Sequence, residues 1–295
     1  MQKFITKVIM LTTLGLHTIN VIFWAIFVFI FAFLRLIPIK PWQNMLHVWM
    51  NKMPVYWADC CNWIQCLMTR TEWDIQGADN LKPNDWYFLV CNHQSWADIL
   101  VLEKVFNRKI PVLKFFMKKQ LMWLLPIGGQ GAWLLDFPFM ERYSREFLAK
   151  HPELQGKDME TTRKVCAKFK YIPTAIISFI ESTRFTPEKH QQQDSPYKHL
   201  LRPRAGGMAF ALGAMGEYFH KILDVTIVYP SSTPSIWDYF SGQAKKIIVR
   251  VKVLAIPPEL LGDYEKDREY RKYFQNFINK IWSEKDQLIE DLQEY

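Results

Sequence analysis

Between Lys7 and Arg35 lie 27 residues without a formal charge. Coiled as a helix at about 1.5 Å per residue, such a run reaches about 40 Å, enough to cross the hydrocarbon core of a bilayer. It is too long for the apolar core of a signal peptide. The Leu36-Ile37-Pro38-Ile39-Lys40-Pro41 that follows offers no small-residue cleavage site, so the segment is expected to be retained. Lys3 and Lys7 precede it and Arg35 and Lys40 follow it, so positive charge at both ends leaves the orientation undecided. Whether the segment spans the bilayer or only dips into it stays open.

From Trp42 to Met68 the chain is rich in Trp, Met and Cys, with Trp42, Trp49, Trp57 and Trp63 recurring along it. Tryptophan favours the headgroup level of a membrane, which suggests a second helix at the interface. The competing reading is a buried core helix broken at Pro54. Eight of the 12 tryptophans fall within the first 96 residues, which favours the interface. Residues 1–70 are therefore expected to form a membrane-embedded helical motif.

The charge distribution narrows the partners. The chain carries +8 in all, but residues 257–295 hold 6 basic and 10 acidic side chains, which leaves +12 on residues 1–256. A basic body suits phosphate-bearing partners, a membrane or a nucleic acid. The apolar segment and the lack of a nucleic-acid reading motif argue for the membrane. Five cysteines, Cys60, Cys61, Cys66, Cys91 and Cys166, match no zinc spacing, and their odd number suggests reduced thiols facing the cytoplasm.

From Glu72 onward apolar strand-like runs alternate with helical intervals. Candidate strands are 73–76, 87–91, 110–113, 132–135, 174–179, 225–229 and 247–254. Candidate helices are 96–106, 118–123, 160–170 and 207–219, and 185–204 reads as a long polar surface loop. This order predicts an α/β domain over 71–256, a mostly parallel sheet flanked by helices. Tyr273, Phe274, Phe277, Ile278, Ile281, Trp282, Leu288, Ile289 and Leu292 follow helical spacing, which predicts an amphipathic helix within 257–295 docked on that domain.

The candidate strand 87–91 ends in Asn92-His93-Gln94-Ser95-Trp96-Ala97-Asp98. His93 is thus placed at a strand's carboxyl end, where open α/β sheets bind ligands. On one continuous helix His93 and Asp98 would point about 140° apart. If the helix starts near Ser95, however, Asp98 lies in its first turn and can reach back to the imidazole, the arrangement of a general base with an orienting acid. Ser95 with Asp98 is equally a Ser-x-x-Asp capping signature, so the two readings stand side by side.

Other polar groups also follow strand-like runs. Phe139-Met140-Glu141-Arg142 and Glu181-Ser182-Thr183-Arg184 each place an arginine there, and guanidinium groups bind phosphate in a bidentate fork. Lys118 and Lys119 are further phosphate candidates. Arg202 and Arg204 stand before Gly206-Gly207, where an anion site competes with ordinary helix entry. His47, His151, His190, His199 and His220 lack convincing acidic or metal-ligand spacing and are expected to be structural or at the surface.

These blocks resemble the glycerolipid acyltransferases typified by 1-acylglycerol-3-phosphate acyltransferases, over roughly residues 73–230. His93 and Asp98 match the family's His-x-x-x-x-Asp, and Phe139 to Arg142 match its Phe-x-x-Arg. Glu181-Ser182-Thr183-Arg184 matches Glu-Gly-Thr-Arg, with Ser182 in place of the glycine. Val228-Tyr229-Pro230 is similar to a last block that is usually Val-Pro or Ile-Pro, with Tyr229 interposed. The wording around 136–145 looks most like the bacterial YihG-like branch.

The resemblance implies an O-acyltransferase at a bacterial inner membrane, its catalytic domain facing the cytoplasm. His93 would deprotonate a lysophospholipid hydroxyl that attacks an acyl thioester, with Asp98 orienting His93. Arg142, Arg184, Glu181, Thr183 and Lys119 would form the phosphate site. It implies no metal and no cofactor, with acyl-CoA or acyl-acyl carrier protein as co-substrate. The acceptor is expected to be 1-acylglycerol-3-phosphate. A lysophospholipid with a larger headgroup, or a non-catalytic membrane-tethered phospholipid-binding protein, are the alternatives. A hydrolase would usually show a Gly-x-Ser-x-Gly elbow, which the sequence lacks.

Overall fold

A computed structural model describes residues 1–125, 127–140, 169, 173–215, 218–262, 264 and 267–293. The chain begins with two long helices, α1 (Gln2–Leu34) and α2 (Lys40–Met68). α1 is long and apolar enough to cross a membrane. Phe4, Leu11, Ile19, Phe23 and Phe33 of α1 are exposed, as are Trp49, Trp63 and Leu67 of α2, while Met50 and Met53 of α2 pack against Val28. The opposite stripe of α1 turns inward: Thr13, His17 and Asn20 are buried, and Met10 and Leu14 pack against the core of the α/β domain. This i, i+3, i+4, i+7 spacing is a helix with one face docked and the other apolar and open. Pro54 does not break α2, which continues through it.

The sheet has six strands in the order β1-β8-β7-β2-β6-β3. They are β1 (Glu72–Gln76), β2 (Tyr87–Cys91), β3 (Leu113–Phe115), β6 (Ala175–Phe179), β7 (Lys221–Val228) and β8 (Lys246–Ala255). A separate two-stranded piece joins β4 (Met117–Lys118) to β5 (Phe139–Met140). All neighbours in the six-stranded sheet are parallel except β7 and β8. The expected mostly parallel sheet flanked by helices is therefore present, with one antiparallel junction.

β2 lies between β7 and β6, and all five of its residues are buried. Side chains alternate across a strand. Phe88 and Val90 accordingly enter one core with α7 (Gly206–Met215) and α9 (Arg268–Gln293). Tyr87, Leu89 and Cys91 enter the other, with α3 (Ala97–Phe106) and α8 (Ile236–Phe240). On the carboxyl-terminal helix α9, Phe274, Ile278, Trp282 and Ile289 are buried in the first of these cores. Each such side chain contributes about 1.5–3 kcal/mol by leaving water.

Several expectations fail locally. Residues 132–135, expected as a strand, belong almost wholly to helix α5 (Gly128–Leu134). A four-residue apolar run does not itself distinguish strand from helix, and here Leu134 and Leu135 pack against the α1–α2 cluster. The strand expected at 110–113 begins only at Leu113, and β7 starts four residues earlier than expected. Of the expected helix 118–123, Lys118 is strand, and α4 (Leu121–Leu124) is a single turn. The expected surface loop 185–204 contains helix α6 (Pro187–Gln192), capped by Thr186, and buries Tyr197, Leu200 and Leu201. Most of the expected helix 160–170 lies outside the described residues.

Candidate active site

The end of β2 is fastened by a side chain that continues its ladder. Asn92 donates through Nδ2 to Ile227 O at 2.9 Å and accepts from Ile227 N–H at 2.9 Å. The next residue, His93, is held through its backbone: its N–H donates to Glu181 Oε1 at 2.8 Å and its carbonyl accepts from Phe185 N–H at 2.8 Å. Its ring stacks on Phe179, with centroids 4.0 Å apart.

His93 Nδ1 stands 2.8 Å from Asp98 Oδ2. The same oxygen accepts the N–H groups of Gln94 at 2.7 Å and Ser95 at 2.9 Å. The capping and orienting readings of Asp98 therefore coexist: one carboxylate closes the turn that starts α3 and faces the imidazole. With a proton on Nδ1, Nε2 of the neutral ring is the nitrogen able to accept one. Asp98 Oδ1 takes the phenolic O–H of Tyr229 at 2.6 Å. Ser95 Oγ accepts from Ala97 N–H and donates to Pro234 O, pinning the helix entry.

His93 opens onto a cavity of about 530 Å³. Its polar end is formed by His93, Ser182, Thr183 and Arg184, and much of the remaining wall is apolar, including Ile99, Phe115, Phe116, Leu121, Leu125 and Phe137. The Arg184 guanidinium lies over the Trp96 ring, 4.7 Å from its centroid, an arrangement that holds a planar cation in place. Lys189 Nζ donates to Thr183 Oγ1 at 2.8 Å and to Arg184 O at 3.0 Å, so a second positive charge stands behind this turn. A second, apolar cavity of about 230 Å³ shares Trp57, Glu103, Ala132 and Phe137 with the first.

Not every expected phosphate-site residue faces the cavity. Glu181 is buried and absent from its lining; its two oxygens accept the backbone N–H groups of His93 and Leu201. Burial pushes its carboxyl up to about 8, against the opposing effect of those two donors. Lys119 is exposed in the turn between β4 and α4 and does not line the cavity, whereas Met117 in β4 does. Arg142 lies outside the described residues, as does His151. Arg202 directs its guanidinium to Gln193 O and Asp194 O. Ser182 adopts φ 62°, the left-handed conformation that glycine accepts at no steric cost. His190 bonds Tyr197 O, and His199 pairs with Glu290, both structural contacts.

Two residues join the site without a role assigned from the sequence: Tyr229, noted only as interposed in the last block, and Glu103. Tyr229 touches Asp98 from the end of β7. Glu103 lines both cavities, and burial alone pushes its carboxyl up to about 8. The positions of Trp96, Ile99 and Glu103 at i, i+3 and i+7 were the available signal for the latter, because they share one helix face. Among the described residues no group of three His, Cys, Asp or Glu side chains could hold a metal ion.

Known proteins resemble this chain in sequence and in fold. The chain is 24% identical over 252 residues to an uncharacterized acyltransferase of Saccharomyces cerevisiae, covering 74% of this chain and 62% of the relative. It is 23% identical over 247 residues to the 2-acyl-1-lysophosphatidylinositol acyltransferase of the same yeast, covering 72% of this chain and 62% of the relative. The chain thus spans about three fifths of the length of these curated relatives. The crystal structure of the 1-acyl-sn-glycerophosphate acyltransferase PlsC from Thermotoga maritima matches 100% of this chain and 99% of its own at a TM-score of 0.58, with 17% identity, which shows a shared fold. The family model described as Acyltransferase matches residues 72–230, the stretch that carries β2, His93, Asp98, Arg184 and Tyr229, and the chain belongs to that acyltransferase family.

Proposed function

We propose that the protein transfers a fatty acyl group from an acyl thioester to the free hydroxyl of a lysophospholipid, with 1-acylglycerol-3-phosphate as acceptor and phosphatidic acid as product. The observation that carries this reading is that His93, paired with the buried Asp98, faces one cavity whose polar end also contains Arg184 and whose walls are largely apolar. An amphiphile with an anionic head and an acyl tail matches that division.

In the reaction, His93 Nε2 takes the proton of the acceptor hydroxyl as its oxygen attacks the thioester carbonyl carbon. The carbon–sulfur bond then breaks, and the imidazolium returns the proton to the departing thiolate. Asp98 stabilises the imidazolium through Nδ1–H. Arg184, Thr183 and Lys189 form the anionic headgroup site, and Arg142 is proposed to join them. Glu181 shapes the site indirectly, through the backbone of His93. The thioester is already activated, so positioning and base catalysis suffice.

Acyl-CoA or acyl-acyl carrier protein is the proposed donor. The exposed apolar faces of α1 and α2 are proposed to sit in the membrane where acceptor and product reside. A bacterial inner membrane, with the site on the cytoplasmic side, agrees with the resemblance to the YihG-like branch. A larger headgroup is the second reading, favoured by the likeness to a relative named as a lysophosphatidylinositol acyltransferase.

The test is acylation of a lysophospholipid panel with labelled thioester donors by purified protein. Wild type should acylate 1-acylglycerol-3-phosphate, and His93→Ala should abolish turnover while membrane association survives. Retained turnover in His93→Ala would exclude the general-base role, and preference for an inositol-bearing acceptor would select the second reading.

A further inference from the structure

We propose that Tyr229 is a positioning residue for catalysis, its phenol fixing the carboxylate of Asp98 so that Asp98 presents its other oxygen to His93. The inference rests on the general-base reading of His93. It adds to the acyltransferase blocks a residue that stands where the family usually has Val-Pro or Ile-Pro.

The argument begins with the number of donors around one buried carboxylate. Asp98 Oδ2 is committed to His93 Nδ1 and to the Gln94 and Ser95 amides. All three partners come from the same turn, and together they occupy one oxygen. The other oxygen is equally buried, and the described residues supply it with one donor, the Tyr229 hydroxyl at 2.6 Å. A carboxylate rotates about its Cβ–Cγ bond unless both oxygens are engaged. The short turn therefore fixes where Asp98 is, and Tyr229 fixes how the carboxylate is turned.

The two partners arrive from different parts of the fold. Asp98 lies in the first turn of α3, while Tyr229 follows β7, which is paired in parallel with β2, the strand that ends just before His93. Asn92 bonds Ile227 at both its amide groups. The strand ends that carry His93 and Tyr229 are thereby locked together, one residue before the histidine and two before the phenol. Tyr229 itself is 4% exposed and packs in the core with Tyr239 and Val249, so its ring is immobilised by neighbours other than Asp98.

The direction of the hydrogen bond is also determined. Burial and the adjacent Asp98 charge push the phenol well above its ordinary range, which keeps the proton on Tyr229 and makes it the donor. Among the described residues, the other ionisable groups around the dyad are Cys91 at the end of β2, Glu181 after β6, Arg184 over Trp96, Tyr239 on α8, and the Asp224–Lys285 pair between β7 and α9. None of these bonds Asp98.

Removing the phenolic O–H leaves a buried carboxylate oxygen without a donor. The carboxylate's charge then concentrates on the oxygen facing His93, or the group turns to seek another partner. Either outcome disturbs proton transfer at Nε2 without touching the headgroup site.

The experiment compares wild type, Tyr229→Phe, Asp98→Ala, the double variant and His93→Ala in the acylation assay, with thermal unfolding measured on each. Phe keeps the ring and its packing. Tyr229→Phe is expected to lower kcat by about tenfold, leave the acceptor KM within about twofold, and displace the acid limb of the pH–rate profile by roughly half a pH unit or more. In the Asp98→Ala background the same change should have no further effect on rate, because the group through which it acts is gone. Tyr229→Phe with unchanged kcat and profile, or equal losses in both backgrounds, would overturn the proposal while leaving the base reading intact. Turnover in His93→Ala would instead remove the base reading. Should the Phe variant unfold early, Tyr229→Trp, which restores a ring with an N–H donor, is expected to recover stability without the wild-type profile, and full recovery of both would count against a role specific to the phenol.

Discussion

Glu181 Oε1 accepts the backbone N–H of His93 at 2.8 Å while Glu181 Oε2 accepts that of Leu201 at 3.0 Å, so one buried side chain ties the backbone of His93 to the segment leading into α7. Its position at the end of β6, the neighbour of β2, makes this short reach possible.

That buried acid, with Glu103, leads to a pH prediction. Burial raises both carboxyls from the ordinary 4.5 to about 8. The folded chain therefore binds these protons more tightly than the unfolded one. Their stabilising contribution is complete below about pH 4.5 and is lost as pH rises toward about 8. Salt-bridged acids such as Asp85 have lowered values and act in the opposite sense, losing their contribution only in acid. The unfolding temperature should fall by a few degrees between pH 5.5 and pH 8 in roughly that order. Glu103→Gln, which removes one titrating group that has no hydrogen-bond partner among the described residues, should flatten the fall; identical slopes would refute the assignment.

Ser182 occupies the left-handed region, which costs a side chain with a Cβ about 1–2 kcal/mol. Glycine there relieves this strain but loses more chain entropy on folding. Ser182→Gly should be more stable by about 0.5–1 kcal/mol and keep its turnover. Denaturant unfolding reads the difference, and a less stable variant would mean the hydroxyl contributes more than the strain costs.

Arg184 is presented by Trp96 and lies at the polar end of the cavity. Arg184→Ala should raise the KM for the acceptor by about tenfold or more and leave the thioester KM within about twofold. Trp96→Leu should produce a smaller change of the same kind. Equal effects on both substrates would place the guanidinium elsewhere in the reaction.

Lys285, on the buried face of α9, pairs with Asp224 at 2.6 Å and bonds Val225 O and Thr226 Oγ1 of β7. Lys285→Met leaves Asp224 without its cation and should cost about 3–5 kcal/mol, as is usual when one member of a buried pair is removed. Restoring stability with Asp224→Asn in the same chain is the expected rescue. No recovery would show that the bonds to Val225 and Thr226 carry the docking.

Much of the architecture was legible in linear order because its causes are local. The uncharged run gave α1, and the unbroken apolar stretch from Tyr87 to Cys91 gave the buried strand β2. The spacing of Phe274, Ile278 and Trp282 likewise predicted a docked helix. His93 and Asp98 could be placed together by counting residues through one turn. The short run Ala132 to Leu135 was misread, since four apolar residues suit either periodicity and the choice fell to α1, which offers a helix face to pack on.

What the linear order determined by itself was therefore the set of elements whose period shows over five or more residues, together with the pairing of His93 and Asp98 across one turn. Tertiary structure alone decided that β8 runs against β7, that Glu181 grips a backbone instead of facing the cavity, and that Tyr229 meets Asp98 across 131 positions of sequence. The physical reason is that periodicity and turn geometry act between near neighbours. A hydrogen bond between distant residues depends on the order in which strands come to lie side by side, which no single stretch of the chain encodes.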